Sequence, residues 1–150
     1  MRHIVHASNS IAFSCACFIF DEICKKLKKN NRILIGLSGG GSPWQLYRDL
    51  SCCLGPKECE RLLFFVVDER LVPLSHAESN SGRIITSFTK SPSKLKSIFN
   101  FIHPDPSLSP EDWLSDYQKT LERHQVIEPD IIILGIGPDG HTASLFPGDE

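Results

Sequence analysis

The stretch DIIILGIGPDGHTASLFPGDE, residues 130–150, decides how this chain is read. It opens on a continuous β-branched run, Ile131 to Leu134, the pattern of a strand buried on both faces, as central parallel strands tend to be. The run passes directly into GIGPDG (135–140), a literal match to G-x-G-x-x-G, the pattern that cradles a dinucleotide pyrophosphate. That fingerprint must open a helix and be followed about 20 residues later by an acidic partner. Pro138 sits inside it, and the 150 residues hold no such partner. The dinucleotide reading is discarded. What remains is a glycine-flanked turn that presents Asp139 and His141 at the mouth of a strand.

Working outward, two more strands run into polar loops. RILIGLS (32–38) ends in glycines, and Ser42 and Pro43 then supply an expected N-cap and first-turn proline for a helix to about Cys53. LLFFVV (62–67) is apolar on both faces and runs straight into Asp68, Glu69 and Arg70. Ser79 or Asn80 opens a weaker helix to about Phe88, and SIFNFI (97–102) reads as a short strand stopped by Pro104. SPEDWLSDYQKTLERHQ (109–125) carries its own punctuation, with Ser109 as N-cap, Pro110 behind it, and Trp113, Tyr117 and Leu121 on one stripe. Strands alternating with helices predict a single α/β domain with a mostly parallel, Rossmann-like sheet and flanking helices. In such sheets ligands bind beyond the carboxyl ends of the strands, so SGGGS (38–42), DERLVP (68–73) and GPDGH (137–141) are expected to converge.

Composition narrows the partners. With 16 basic and 18 acidic residues the formal charge is −2, so no global positive field recommends a nucleic-acid or anionic-membrane partner. The basic run Lys25, Lys26, Lys28 and Lys29 closes a predicted helix, where cations complement the dipole. The apolar stretch IAFSCACFIF (11–20) is interrupted by Ser14 and two cysteines, and it continues at helical spacing through Ile23. It reads as an amphipathic helix rather than a signal sequence, and nothing nears the roughly 20 apolar residues of a membrane span. The six cysteines make no C-x-x-C or zinc spacing and read as reduced thiols of a cytoplasmic protein. His3 and His6 can share a helical face but lack partner ligands for a metal.

Each loop has a chemical and a structural reading. Gly39, Gly40 and Gly41 let backbone N–H groups approach an anion ahead of a helix N-terminus, yet a tight strand-to-helix turn needs the same glycines. No Gly-Lys-Ser/Thr closes the loop as a nucleoside-triphosphate site would require. Asp68 and Arg70 lie on one side of an extended segment with Glu69 on the other; the pair can bind sugar hydroxyl and phosphate oxygens, or form a structural salt bridge. His141 can take a proton from water near neutral pH, with Asp139 holding its tautomer, though a lone histidine is as often structural. No G-x-S-x-G elbow supplies a serine nucleophile, which leaves water to attack any ester.

Together, LSGGGSPWQLY (37–47), VDERLVPLSHAESNSG (67–82) and DIIILGIGPDGHTASLFPG (130–148) closely resemble the 6-phosphogluconolactonase family in order, spacing and text. The resemblance implies the fold of sugar-phosphate isomerases and CoA-transferase-like proteins, and cofactor-free hydrolysis of 6-phosphoglucono-δ-lactone in the pentose phosphate pathway. It makes His141 the general base or proton shuttle, assisted by Asp139. Ser38, Gly39, Gly40, Gly41, Ser42, Asp68 and Arg70 become substrate-binding residues, with the phosphate near the glycines and Arg70. Gly41 and Ser42 depart from the family's usual Ser or Arg followed by Thr, which removes or shortens side-chain donors in the anion loop. An isomerase or deaminase of the same fold is expected to carry Asp-Glu-Tyr where Asp68-Glu69-Arg70 stands, and HIAFNEP-like text in place of HTASLFP. The family's chains continue further, with more strands and a lysine-bearing loop. The expectation is therefore a C-terminally incomplete chain, weakly active or a non-catalytic sugar-phosphate-binding remnant.

Overall fold

A computed structural model describes residues 11–90, 95 and 98–148. His3 and His6, and so the metal site considered for them, lie outside the described residues. The chain order is α1 (Ile11–Leu27), β1 (Ile33–Leu37), α2 (Pro43–Cys53), α3 (Pro56–Cys59), β2 (Leu62–Val66), α4 (Asn80–Thr89), β3 (Phe101–Ile102), α5 (Pro110–Arg123) and β4 (Ile131–Ile133). The four strands form one parallel sheet in the order β3-β2-β1-β4, flanked by helices as the alternating pattern predicted. The turn of helix α3 had no counterpart in the sequence reading.

Each central strand is apolar because both its faces are covered. All five residues of β2 are buried, and in β1 only Leu34 is partly exposed. Phe64, Phe88 and Phe99 pack as an aromatic cluster across β2 and α4, with ring centroids 4.5–5.2 Å apart, and Tyr47 of α2 stacks on Phe88. Helix α1 buries Ala16 and Ile23 in the same core. Helix α5 is tied to the end of β2 by the Tyr117 hydroxyl, which donates to the Val66 carbonyl. Burial of that phenol pushes its pKa well up, so it stays protonated and keeps donating.

Strand β4 differs from the expectation. Its β-branched run suggested a central strand, but among the described strands it lies at the sheet edge beside β1, with Ile132 48% exposed. Its register is set by Asp130, whose carboxylate accepts from the Leu34 backbone N–H at 3.0 Å and from Asn30 and Lys26. A second difference concerns capping. Ser109 caps α5 by accepting from Asp112 N–H, and Ser79 caps α4 by accepting from Gly82 N–H. Ser42 instead sits in a helical backbone conformation and its side chain makes no cap bond, so the start of α2 is fixed by Pro43. Among the described residues no helix is long and apolar enough to cross a membrane.

Candidate active site

The parallel sheet brings the carboxyl ends of β1, β2 and β4 to one side, and the three polar loops meet there. They enclose a cavity of about 300 Å³. The first loop contributes all of Ser38 to Ser42, the second Asp68 and Arg70, and the third Gly135 to Pro138 with His141 and Ala143. Asp139 does not line the cavity; it stands behind His141.

The Ser38–Ser42 loop is anchored at its base and open at its tip. Ser38 N–H donates to the Ile133 carbonyl across the β1–β4 seam, and its own carbonyl accepts the buried Tyr47 hydroxyl at 2.7 Å. Gly39 is required by close approach, since a Cβ there would stand 1.8 Å from the Asn80 amide oxygen, and Gly40 takes a left-handed φ of +101°. The N–H groups of Gly39, Gly40, Gly41 and Ser42 find no acceptor among the described residues. Four open donors ahead of the α2 N-terminus form a cradle for an anion.

In the second loop the three charged residues divide their work. Glu69 turns back onto α4: its Oε1 accepts from Asn80 N–H and Arg70 N–H, both at 2.8 Å, and its Oε2 from Ser81 N–H at 2.7 Å. A carboxylate here satisfies the orphan donors of the helix start and complements its dipole. Asp68 and Arg70 both face the cavity, but they form no ion pair with each other, so the structural salt bridge considered for them is absent. Arg70 Nη1 donates instead to Asn80 Oδ1 at 2.7 Å, and Asn80 Nδ2 donates to the Asp68 carbonyl at 2.9 Å. One carboxylate oxygen of Asp68 accepts from Ser144 Oγ at 2.9 Å; the other is buried without a protein partner. An unpaired buried carboxylate oxygen aimed at a polar cavity is a ready acceptor for a ligand hydroxyl.

The third loop is folded on itself around His141. Gly137 N–H donates to the His141 carbonyl and Gly140 N–H to the Gly137 carbonyl, so GIGPDG closes as a turn and opens no helix. Asp139 Oδ1 lies 2.5 Å from His141 Nδ1 and also accepts the His141 backbone N–H. These bonds from His141 hold the Asp139 carboxyl below its ordinary range, because they favour the ionised form. In the neutral ring, a carboxylate at Nδ1 favours the proton there and leaves Nε2, which has no partner among the described residues, with the open lone pair. Phe146 lies against the ring at a centroid distance of 5.0 Å.

Sequence reading had placed Glu69 only on the opposite side from its neighbours, and had assigned Asn80 nothing beyond opening a helix. Asn80 is 2% exposed and touches Gly39, Arg70 and the Asp68 backbone. The faint signal was a carboxylate one residue after Asp68, ten residues ahead of a Ser-Asn helix start; only the fold turns that spacing into contact.

Comparison with known proteins agrees with the geometry. Residues 7–150 match the family model described as glucosamine-6-phosphate isomerases/6-phosphogluconolactonase. A putative 6-phosphogluconolactonase of Caenorhabditis elegans is 34% identical over 140 residues, covering 89% of this chain and 51% of that protein. The 6-phosphogluconolactonase of Rattus norvegicus is 41% identical over 125 residues, 78% of this chain and 48% of its own length. Among solved structures, 6-phosphogluconolactonase from Thermotoga maritima superposes with a TM-score of 0.80 at 31% identity, over 96% of this chain and 63% of that one. The chain thus spans about half the length of these curated relatives. With the family model matched across nearly every residue and the same three loops gathered at one cavity, the chain belongs to the glucosamine-6-phosphate isomerase/6-phosphogluconolactonase family.

Proposed function

We propose that the chain carries the catalytic site of a cytoplasmic 6-phosphogluconolactonase, hydrolysing 6-phospho-D-glucono-1,5-lactone to 6-phospho-D-gluconate. The observation that carries the reading is the pairing of Asp139 with His141 Nδ1, which leaves the other ring nitrogen of a cavity-lining histidine as a free base opposite an anion cradle. His141 Nε2 takes a proton from water as the water oxygen attacks the lactone carbonyl. The carbonyl π electrons move to oxygen, and the tetrahedral intermediate is stabilised by backbone N–H groups of the loops. As the intermediate collapses, the bond from the carbonyl carbon to the ring oxygen breaks, and His141 returns the proton to that oxygen. Asp139 stays ionised throughout and stabilises the transient imidazolium. The reaction consumes only water and a small-molecule substrate.

The phosphoryl group is read at the Gly39–Ser42 donors and Arg70, and a sugar hydroxyl at the open oxygen of Asp68. Loss of side-chain donors at Gly41 leaves the backbone donors in place, so this loop is expected to bind the phosphate with looser positioning. In an acid-release assay, His141→Ala is expected to lower kcat by about 100-fold or more, the scale of general-base catalysis, with KM nearly unchanged. Equal turnover in the variant removes His141 from its role; no acceleration over spontaneous ring opening by the unsubstituted chain removes the hydrolase reading.

A further inference from the structure

A second cavity of about 290 Å³ adjoins the first and shares Gly40 and Arg70 with it. It is completed by Ala77, Glu78, Asn80 and Arg83, and it contains no residue of the His141 loop. The two cavities therefore have different chemistry. The first holds the base and a single cation, while the second holds two guanidinium groups and an edge of the glycine cradle.

Both arginines are held in place and neither is neutralised. Arg70 is fixed by Asn80 Oδ1 at 2.7 Å. Arg83 lies with its guanidinium carbon 4.1 Å from the centroid of Trp44, a buried side chain at the start of α2. Stacking on a buried indole restrains the charge without consuming its N–H donors, which remain available for a ligand. Among the described residues neither guanidinium has a carboxylate within 4.0 Å. Glu78 lines the same cavity and opposes an anion there, but it forms no ion pair with either arginine.

We propose that Arg83 is a specificity-determining residue of this site, the second guanidinium for the phosphoryl group of the substrate, which sits where the two cavities meet, on the glycine loop at Gly40 and between Arg70 and Arg83. The proposal rests on the lactonase reading above. It also fits the shape of the substrate: the phosphate stands on exocyclic C6, outside the lactone ring that carries the reacting C1 carbonyl, so it can reach the paired cations while the ring faces the cavity that holds the base. A phosphate carrying close to two negative charges suits two forked donors better than one. Arg83 thereby supplies from α4 the side-chain donation that the first loop lacks at Gly41.

The test titrates the 150-residue chain and its Arg83→Met and Glu78→Gln variants with 6-phosphogluconate, gluconate and inorganic phosphate, following calorimetric heat and Trp fluorescence. Arg83 is exposed, so Arg83→Met is expected to keep the thermal transition of the parent. Its Kd for 6-phosphogluconate is expected to rise about 10-fold or more, the cost of one charge-assisted pair, with gluconate binding unchanged. Glu78→Gln is expected to tighten the phosphorylated ligand and leave gluconate alone. Equal 6-phosphogluconate binding by parent and Arg83→Met overturns the proposal while the lactonase reading stands. Parallel loss of gluconate binding in Arg83→Met also overturns it, by tracing the effect to the whole site. A parent chain with no preference for the phosphorylated acid overturns both readings.

Discussion

Strands β2 and β4 are written in the same alphabet and live in different surroundings. Leu62–Val66 is buried at every position, between β1 and β3 and beneath the Phe88–Phe99 cluster. Among the described residues Ile131–Ile133 pairs only with β1, and the apolar residues near it stay open, with Ile136 83% and Leu145 74% exposed. An apolar run states that a strand can be buried on both faces; whether neighbours arrive to bury it is a property of the sheet. The same contrast divides the site. Its anion side stands on the packed half through Tyr47, Asn80 and Glu69, whereas its base stands on a loop that follows the open edge.

The sharpest way to break this comparison is to truncate one residue in each strand. Phe64→Ala removes a ring that contacts both Phe88 and Phe99, and it is expected to cost about 3–5 kcal/mol. Ile132→Ala, half exposed at the edge, is expected to cost well under about 1.5 kcal/mol in the same denaturant titration, because little buried area is lost. Equal losses would mean that β4 is covered in solution.

A smaller effect is expected within the anion loop. Gly39→Ala drives a methyl group into the Asn80 amide that carries Arg70 and is expected to cost about 1–3 kcal/mol of stability together with phosphate affinity. Gly41→Ala meets open space and is expected to change stability by less than about 1 kcal/mol. If the two variants unfold alike, the contact between Gly39 and Asn80 does not hold the loop.

The smallest effect is electrostatic and belongs to the open half. Asp139 is held below its ordinary pKa of 3.8 by its bonds from His141. A carboxyl depressed in the folded state stabilises above its unfolded pKa, and that contribution is lost as pH falls through the folded value. The difference in thermal midpoint between the parent and Asp139→Asn is therefore expected to be present at neutral pH and to shrink only as pH falls below 3.8. Asp139 is exposed, so solvent screening keeps the difference small. A gap that persists unchanged to pH 2 would assign it to something other than ionisation.

Much of the architecture was legible because it depends on local spacing. Ser109, Pro110 and the stripe through Tyr117 describe their own helix, and the glycines after β1 announce a turn wherever the strand lies. The convergence of three loops was also legible, since a parallel sheet puts strand carboxyl ends on one side. The edge position of β4 was not, because edge and centre differ in what packs alongside rather than in the strand's own residues. Ser42 misled for a related reason: a serine before a proline fits a cap by type, but its own backbone is already in the helical region.

The alternation of strands and helices, the chemistry available at each strand end, and the family can all be read from the residues alone. Periodicity, turn residues and motif text are local quantities, and they survive without coordinates. Packing, not local pattern, makes Glu69 cap α4, makes Asn80 rather than Asp68 hold Arg70, and lays Arg83 on Trp44 beside the same glycine loop. Those contacts join residues 10 to 39 positions apart, and their partners are chosen by how α2 and α4 pack above the sheet.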